Sequence, residues 1–244
     1  MRKIKGIVEY DGTHFYGSQV QKDKRTVQDE IEKAIKGVTQ ESLRVRLAGR
    51  TDRGVHARGQ VFHFETGSIL SLLRLCAGFN AHLPRDVVIK KLSQVSKKFH
   101  AQYSAKGKVY VYSIHAAHCR APLKSATHWE VFKSLDFDLM KKTVALFEGT
   151  HDFRAFCNKA NRKENTVRTI HKARIVKKGE NIIFTISGDG FLYRMVRNIM
   201  GALVSVGEGK LTSDDVKKII AGKCRTKAPK AAPAHGLTLE KVHY

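Results

Sequence analysis

The sequence predicts a mixed α/β (α+β) protein made of two similar domains. Short stretches of alternating hydrophobicity, which are typical of β-strands, are interspersed with stretches of helical periodicity. A series of strand, helix, two strands, helix and strand begins at the N-terminus, and a similar series begins near residue 108. A length of 244 residues fits one large domain or two small ones, and the repeated series favours two. We therefore expect an N-terminal domain at 1–105 and a C-terminal domain at 106–244.

In the first half, an opening strand ends at Tyr10, where Asp11 and Gly12 mark a turn. Thr26 and Asp29 have the spacing of a capping box, which predicts that a helix begins there and continues to residue 38. Further strands are predicted at 43–47, 60–64 and 87–89, and a further helix at 69–79.

In the second half, residues 108–114 alternate cleanly and predict a strand. The same criteria predict strands at 168–176, 181–186 and 237–242 and helices at 137–147, 191–206 and 213–220. Residues 223–233 are basic and rich in Ala and Pro, which is typical of a linker before the last strand.

The charge balance indicates a polyanionic partner. The chain has 45 Lys and Arg residues against 22 Asp and Glu residues, a net charge of +23. Such a charge destabilises the folded state by self-repulsion, so we expect that it serves to bind a polyanion. Two basic runs, at 85–108 and 154–178, are either solvated faces or parts of a nucleic-acid surface, and their length favours the second. An anionic membrane is the rival partner, but no lipid anchor or long apolar segment accompanies the charge.

The cysteines and histidines do not indicate a disulfide framework or a metal site. Four cysteines are scattered without Cys-x-x-Cys spacing, which is typical of a reducing compartment. The N-terminus reads as a strand rather than a targeting peptide, so we expect a cytoplasmic protein. His115, His118 and Cys119 lie near one another, but no further Cys or carboxylate completes a tetrahedral set, and we expect no metal.

The densest group of chemically active side chains lies at 48–60, between two predicted strands. Loops that connect regular elements often carry function. Asp52 is flanked closely by Arg50 and Arg53, which favour its ionised form. A glycine-rich turn capped by an aspartate is the alternative interpretation.

Two further features are ambiguous on pattern alone. Arg197 lies in the apolar segment 191–206, where a buried guanidinium needs an anion unless it reaches solvent. Asp52 is the acid whose surroundings best suit that role. Tyr110 and Tyr112 fall on one face of a strand, where aromatic residues are usually core but can also stack on bases.

Ordered motifs along nearly the whole chain resemble one family. The most specific is GRTDRGVHA at 49–57. Others are YDG at 10–12, NAHLPRD at 80–86, FHA at 99–101, KVYVY at 108–112, HDF at 151–153, RTI at 168–170, MVRNI at 195–199 and GLTL at 236–239. Together these motifs closely resemble those of the tRNA pseudouridine synthase A family.

The resemblance implies a role for five residues. Asp52 is implied as the catalytic aspartate, and Arg50 as the side chain that takes the place of a flipped nucleotide. Tyr110 is implied to stack on the target uracil, Arg197 to pair with Asp52, and Leu237 to line the pocket.

The resemblance also implies a fold and a substrate. The family fold has two domains on a continuous antiparallel sheet flanked by helices, and its members are homodimers. Its substrates are uridines 38, 39 and 40 of the tRNA anticodon stem-loop. Exchanging a C–N for a C–C bond involves no net redox change, so no cofactor is expected. A carboxylate either attacks C1′ or abstracts the C2′ proton. A non-catalytic, ribosome-associated RNA-binding protein is the alternative.

Four positions depart from the family pattern. Ser18 stands where the family usually has Trp, and Val20 where a polar or basic residue is common. Gln102 replaces a usual Arg, and Arg53 replaces a usual Ala beside the aspartate. These changes affect expected RNA contacts, and none removes a group from the chemistry.

Overall fold

The computed structural model describes residues 1–158 and 165–244. The described chain forms two compact units, Met1–Lys106 with Thr238–Tyr244, and Gly107–Leu237. The sequence predicts domains at 1–105 and 106–244, so the internal boundary lies beside the predicted one. The last seven residues differ, because they return to the first unit instead of completing the second.

The predicted mixed α/β class is confirmed by ten strands and five helices in the described residues. The strands are β1 Arg2–Tyr10, β2 Arg46–Leu47, β3 His56–Thr66, β4 Val87–Val95, β5 Gly107–Ala116, β6 Trp129–Val131, β7 Gly149–Asp152, β8 Val167–Lys178, β9 Asn181–Gly188 and β10 Leu237–His243. The helices are α1 Val27–Thr39, α2 Leu72–His82, α3 Phe137–Val144, α4 Met195–Gly207 and α5 Ser213–Gly222. No helix among the described residues is long and apolar enough to cross a membrane.

In the first unit, the strand order is β4-β1-β3-β10, with β2 beside β3. β1 pairs antiparallel with both β3 and β4, whereas β10 pairs parallel with β3 through Thr238 and Leu239. α1 packs against α2, and α2 against β4. The core contains these fully buried side chains: Ile4, Ile31, Ile35, Phe62, Phe64 and Phe79.

The α1 helix begins as predicted at the N-cap Thr26, whose hydroxyl accepts the N–H of Asp29 at 3.4 Å. The carboxylate of Asp29 lies 2.6 Å from Lys33 Nζ. A reciprocal capping box occurs instead at α5, between Thr212 and Asp215. The first turn of α1 is therefore stabilised by one cap bond and by acidic residues near the helix N-terminus.

Several boundaries in the first unit differ from the sequence prediction, and β4 continues to Val95 instead of ending at residue 89. β3 begins at His56 instead of residue 60, because β1 pairs along its length as far as Ala57. Gly59 hides this extension from a pattern search, and a Cβ there would lie 2.5 Å from the carbonyl oxygen of Glu240. β2 has only two residues, and α2 begins after the N-cap Ser71 rather than at residue 69.

The second unit has the strand order β5-β9-β8-β7, with the short β6 parallel to β5. β5, β9, β8 and β7 pair antiparallel, and α3 packs against α4. The predicted helix at 137–147 ends at Val144 and continues as a 3-10 turn, Ala145–Phe147. α4 begins at Met195 rather than residue 191, because Arg194 adopts a left-handed φ of 61°. The short strands β6 and β7 were not predicted.

Candidate active site

The Asp52 loop, residues 48–55, connects β2 to β3 in the first unit. The predicted loop 48–60 is longer, because residues 56–60 belong to β3. The first half of the loop is fixed to that strand at two points: the N–H of Ala48 donates to Val61 O at 2.7 Å, and Gln60 Nε2 donates to Gly49 O at 2.9 Å. Gln60 is fully buried. The loop therefore starts from a rigid base.

Thr51 anchors the loop to Ser18 and Tyr10. Its N–H donates to Ser18 Oγ at 2.8 Å, and its carbonyl accepts the N–H of Ser18 at 3.2 Å. Its hydroxyl lies 2.9 Å from the phenol oxygen of Tyr10. Burial raises the pKa of Tyr10 to about 12, so this phenol stays neutral at physiological pH. The residue before Asp52 is thus held by three buried hydrogen bonds.

The turn that carries Asp52 is tight. The N–H of Val55 donates to Asp52 O at 3.1 Å, and Gly54 has a φ of 78°. The backbone of Gly12 runs directly against this turn, since a Cβ on Gly12 would lie 2.1 Å from Val55 O. Asp52 is partly buried, whereas Arg50 is exposed. The loop therefore presents one carboxylate and two long cationic side chains, those of Arg50 and Arg53, on a fixed backbone.

In the second unit, Tyr110 lies on β5 opposite Ile186. It is 8% exposed, and its ring meets that of Phe191 edge to face, with centroids 5.1 Å apart. Tyr112 is fully buried and donates to Pro233 O at 2.7 Å. Burial raises the pKa of Tyr112, and Arg197 partly opposes that rise. Tyr112 is therefore a core residue, as its pattern indicates, while Tyr110 keeps a small exposed edge.

Arg197 is partly buried on α4. Its Nε donates to Ala232 O at 2.8 Å, and the N–H of Ala232 donates back to Arg197 O at 3.0 Å. Gly201, one turn later, permits the same segment to touch the helix, because a Cβ there would lie 2.1 Å from Lys230 O. The backbone of the segment at 230–232 therefore orients the guanidinium of Arg197.

Leu237 follows this segment at the start of β10. It is 6% exposed, and its N–H donates to Ala234 O at 2.9 Å. Gly236 lies against the ring of Tyr112, since a Cβ on Gly236 would lie 2.6 Å from Tyr112 Cζ. The backbone of residues 232–237 thus contacts both Tyr112 and Arg197 within the second unit.

A buried amide network that sequence reasoning missed stabilises the same region. Asn198 is fully buried on α4, and its Nδ2 donates to Phe156 O at 2.6 Å and Asn158 Oδ1 at 2.8 Å. Arg225 Nη2 donates to Asn198 Oδ1 at 2.9 Å. Arg225 also donates to Ala228 O and Pro229 O, so the predicted linker is fastened to α4. The sequence did contain a signal for this network, because Asn198 is a polar amide within the apolar segment 191–206.

Most of the basic side chains of the run at 85–108 are exposed. In the second run, Lys159, Arg162 and Lys163 lie outside the described residues. In the part of the chain that the structure describes, no group of three or more His, Cys, Asp or Glu side chains is placed to hold a metal ion.

Comparison with known proteins identifies the family. The tRNA pseudouridine synthase family model matches residues 7–104 and 143–244. The tRNA pseudouridine synthase A of Acetivibrio thermocellus is 44% identical over 244 residues, which cover all of both chains. The tRNA pseudouridine synthase A 1 of Bacillus cereus strain ATCC 14579 is 41% identical over all of this chain and 99% of that protein.

Among solved structures, a chain in the archaeal box H/ACA sRNP Nop10-Cbf5 complex is 16% identical to this chain. It has a TM-score of 0.37 over 83% of this chain and 43% of that one, which is too low to carry a conclusion. The family match and the full-length identities are decisive by themselves. The chain belongs to the tRNA pseudouridine synthase family, whose members are isomerases.

Proposed function

We propose that this isomerase converts uridine to pseudouridine at positions 38, 39 and 40 of the tRNA anticodon stem-loop. Asp52 is the catalytic carboxylate of this proposal, and the reaction proceeds without a cofactor or metal. The motif at 49–57 supports the assignment, as do full-length relatives named tRNA pseudouridine synthase A.

The rigid Asp52 loop is the observation that carries the proposal. Thr51 is tied to Ser18 and Tyr10, and the following turn is closed by the bond from Val55 N–H to Asp52 O. A group that must meet a reacting carbon gains from such a fixed backbone, because misplacement by about 1 Å costs roughly a hundredfold in rate.

The reaction requires one carboxylate and a uracil that the carboxylate can reach. The glycosidic C–N bond of uridine breaks, the uracil turns, and C5 bonds to C1′. C5 loses its hydrogen as a proton, and N1 gains a proton, so the product is an isomer of the substrate. Asp52 either attacks C1′ or abstracts the C2′ proton, and both roles require its ionised form. A uridine inside a stem is reached by flipping it out of the stack.

The other four residues complete the proposed site. Arg50 is exposed beside Asp52, so its side chain is free to fill the space that a flipped nucleotide leaves. Tyr110 stacks on the uracil and is steadied by the edge of Phe191. Arg197 pairs with Asp52 in this proposal, with its Nε held by Ala232 O. Leu237 contributes an apolar wall.

We further propose that the enzyme is a cytoplasmic homodimer, as the resemblance implies. Light scattering of the purified protein is expected to give twice the 27.4 kDa of one chain. A monomeric mass at working concentration would contradict the dimer.

The proposed site is tested by tritium release from tRNA labelled at uridine C5, measured in single turnover with saturating enzyme. Asp52→Asn is expected to abolish release while tRNA affinity stays within a few-fold of wild type, because phosphate contacts carry most of the affinity. Arg197→Met is expected to slow release roughly a hundredfold, the usual cost of losing one preorganised charge.

Asp138→Asn is the matched control, since Asp138 is an exposed acid on α3 and undergoes the same loss of charge. Its rate is expected to equal that of wild type. Release by Asp52→Asn at more than a few per cent of the wild-type rate would refute Asp52 as the essential group.

A further inference from the structure

Tyr16 in the first unit holds two cations beside the Asp52 loop. The guanidinium carbon of Arg53 lies 4.3 Å from the centroid of the Tyr16 ring, and Lys24 Nζ lies 4.8 Å from it. Tyr16 itself is 36% exposed, and both cations are exposed. The three side chains, Tyr16, Lys24 and Arg53, are called the Tyr16 clamp below.

Backbone hydrogen bonds fix the segments that carry the clamp. The N–H of Tyr16 donates to Arg25 O at 3.0 Å, and Gln21 Nε2 donates to Tyr16 O at 2.6 Å. On the other side, the N–H of Gly54 donates to Phe15 O at 3.4 Å. The residues next to Lys24 and Arg53 are thus bonded to Tyr16 or its neighbour, so the backbone places both cations against the Tyr16 ring.

Within the described residues, neither Lys24 nor Arg53 has a carboxylate within ion-pair distance. Their neighbour Arg25 is different, because it binds Asp86 through two bonds of 2.8 Å. Both cations lie within 5 Å of the centroid of one ring, so they repel each other, and the ring quadrupole offsets only part of that cost. A bound anion would lower this repulsion.

We propose that the Tyr16 clamp binds a backbone phosphate of the tRNA next to the target uridine. The proposal rests on the proposed function, because Arg53 directly follows Asp52 and so lies beside the nucleotide on which Asp52 acts. A guanidinium suits a phosphate through paired N–H donors, and Lys24 adds a point charge. In this proposal Tyr16 orients the two cations that contact its ring.

The first test measures tRNA affinity against salt concentration. Arg53→Ala is expected to weaken binding about three- to tenfold at low salt. It is also expected to lower the log–log salt slope by roughly 0.7 to 0.9, the share of the slope that one neutralised phosphate supplies. Arg58→Ala is the matched control: Arg58 is also exposed and lies five residues away, but it has a carboxylate partner, Glu240, at 3.2 Å. The control is expected to keep the wild-type slope.

The second test locates the phosphate. Full-length tRNAs are prepared with one neutral methylphosphonate at each linkage flanking the target uridine in turn. One linkage is expected to weaken binding by wild type several-fold and to have no further effect on Arg53→Ala. If every linkage affects both proteins equally, or if Arg53→Ala keeps the wild-type slope, the clamp is refuted. These readouts are equilibrium affinities, so they are judged separately from the tritium release that tests Asp52.

Discussion

Ser18 and Thr51 exchange two hydrogen bonds next to the proposed catalytic aspartate. The Ser18 hydroxyl accepts the N–H of Thr51, and Ser18 is fully buried. If the hydroxyl is removed, water cannot reach the Thr51 N–H to take its place. A buried donor left without a partner costs about 1–3 kcal/mol. Ser18 is therefore part of the support of the Asp52 loop.

Ser18→Ala is therefore expected to lower the free energy of unfolding by about 1–3 kcal/mol and to slow single-turnover tritium release at saturating enzyme. The tRNA affinity is expected to stay unchanged, since Ser18 is inaccessible to RNA. Ser125→Ala, which removes an exposed hydroxyl bonded to Pro122 O, is the control. A normal release rate in Ser18→Ala would show that the loop does not need this bond.

Individual residues were predictable from the sequence where their local setting is unusual. The residues that support the site through long-range hydrogen bonds were not. Asp52 between arginines and Arg197 in an apolar helix are visible as anomalies in the pattern. The bond from Ser18 to Thr51 joins residues 33 positions apart, and that from Asn198 to Phe156 joins residues 42 apart. No local pattern encodes such pairs, because they depend on which segments the sheet brings together.

At the scale of elements, β3 carries a histidine that fastens the strand to the segment after β4. His63 Nδ1 accepts the N–H of Ala101 at 3.1 Å, so the neutral ring is the form that the fold uses. Its ring packs edge to face on that of His100, with centroids 4.8 Å apart. Burial first, then His100 and Lys3, lower the pKa of His63 to about 4, with Arg46 acting in the same direction and Glu65 opposing.

This low pKa predicts how stability depends on pH. The unfolded chain binds a proton at His63 below about pH 6.5, while the folded chain does so only near pH 4. The free energy of unfolding is therefore expected to fall as the pH drops from 6.5 to 4, by up to about 1.4 kcal/mol per pH unit from this group. The contribution is complete above that window.

His63→Asn tests this expectation, because Asn keeps an acceptor for Ala101 but does not titrate. Urea unfolding at several pH values is expected to show a shallower acid decline in His63→Asn than in wild type. The control is His14→Asn, since His14 is exposed. Parallel declines in wild type and His63→Asn would mean that His63 is not the group responsible.

Elements with strong periodicity were predicted closely, and those defined by pairing were not. The helix at α5 and the strands β8 and β9 have bounds within a few residues of the predicted ones. β6 and β7 contain three and four residues, which is too short for a pattern to be seen. They exist because β5 and β8 offer them edges.

At the scale of the whole molecule, the last strand shows the limit of reading a chain in order. The alternation at 237–242 predicts a strand, but nothing in it indicates which sheet the strand joins. In the structure, Thr238 and Leu239 pair parallel with His56 and Ala57 of β3. Residues 238–244 therefore belong to the first compact unit, although the whole of the second unit, Gly107–Leu237, separates them from it in sequence.

The net charge of +23 makes the final prediction, because it is a property of the whole chain. If the basic surface contacts about six phosphates of a tRNA, each contact releases roughly 0.9 counterions, and the log–log slope of affinity against salt is about −5. Fluorescence titration of labelled tRNA between low and physiological salt measures this slope, with thermal unfolding recorded in the same buffers to show that the protein stays folded. A slope near zero would mean that the exposed lysines and arginines face solvent in the complex, and that contacts to the bases carry the affinity instead.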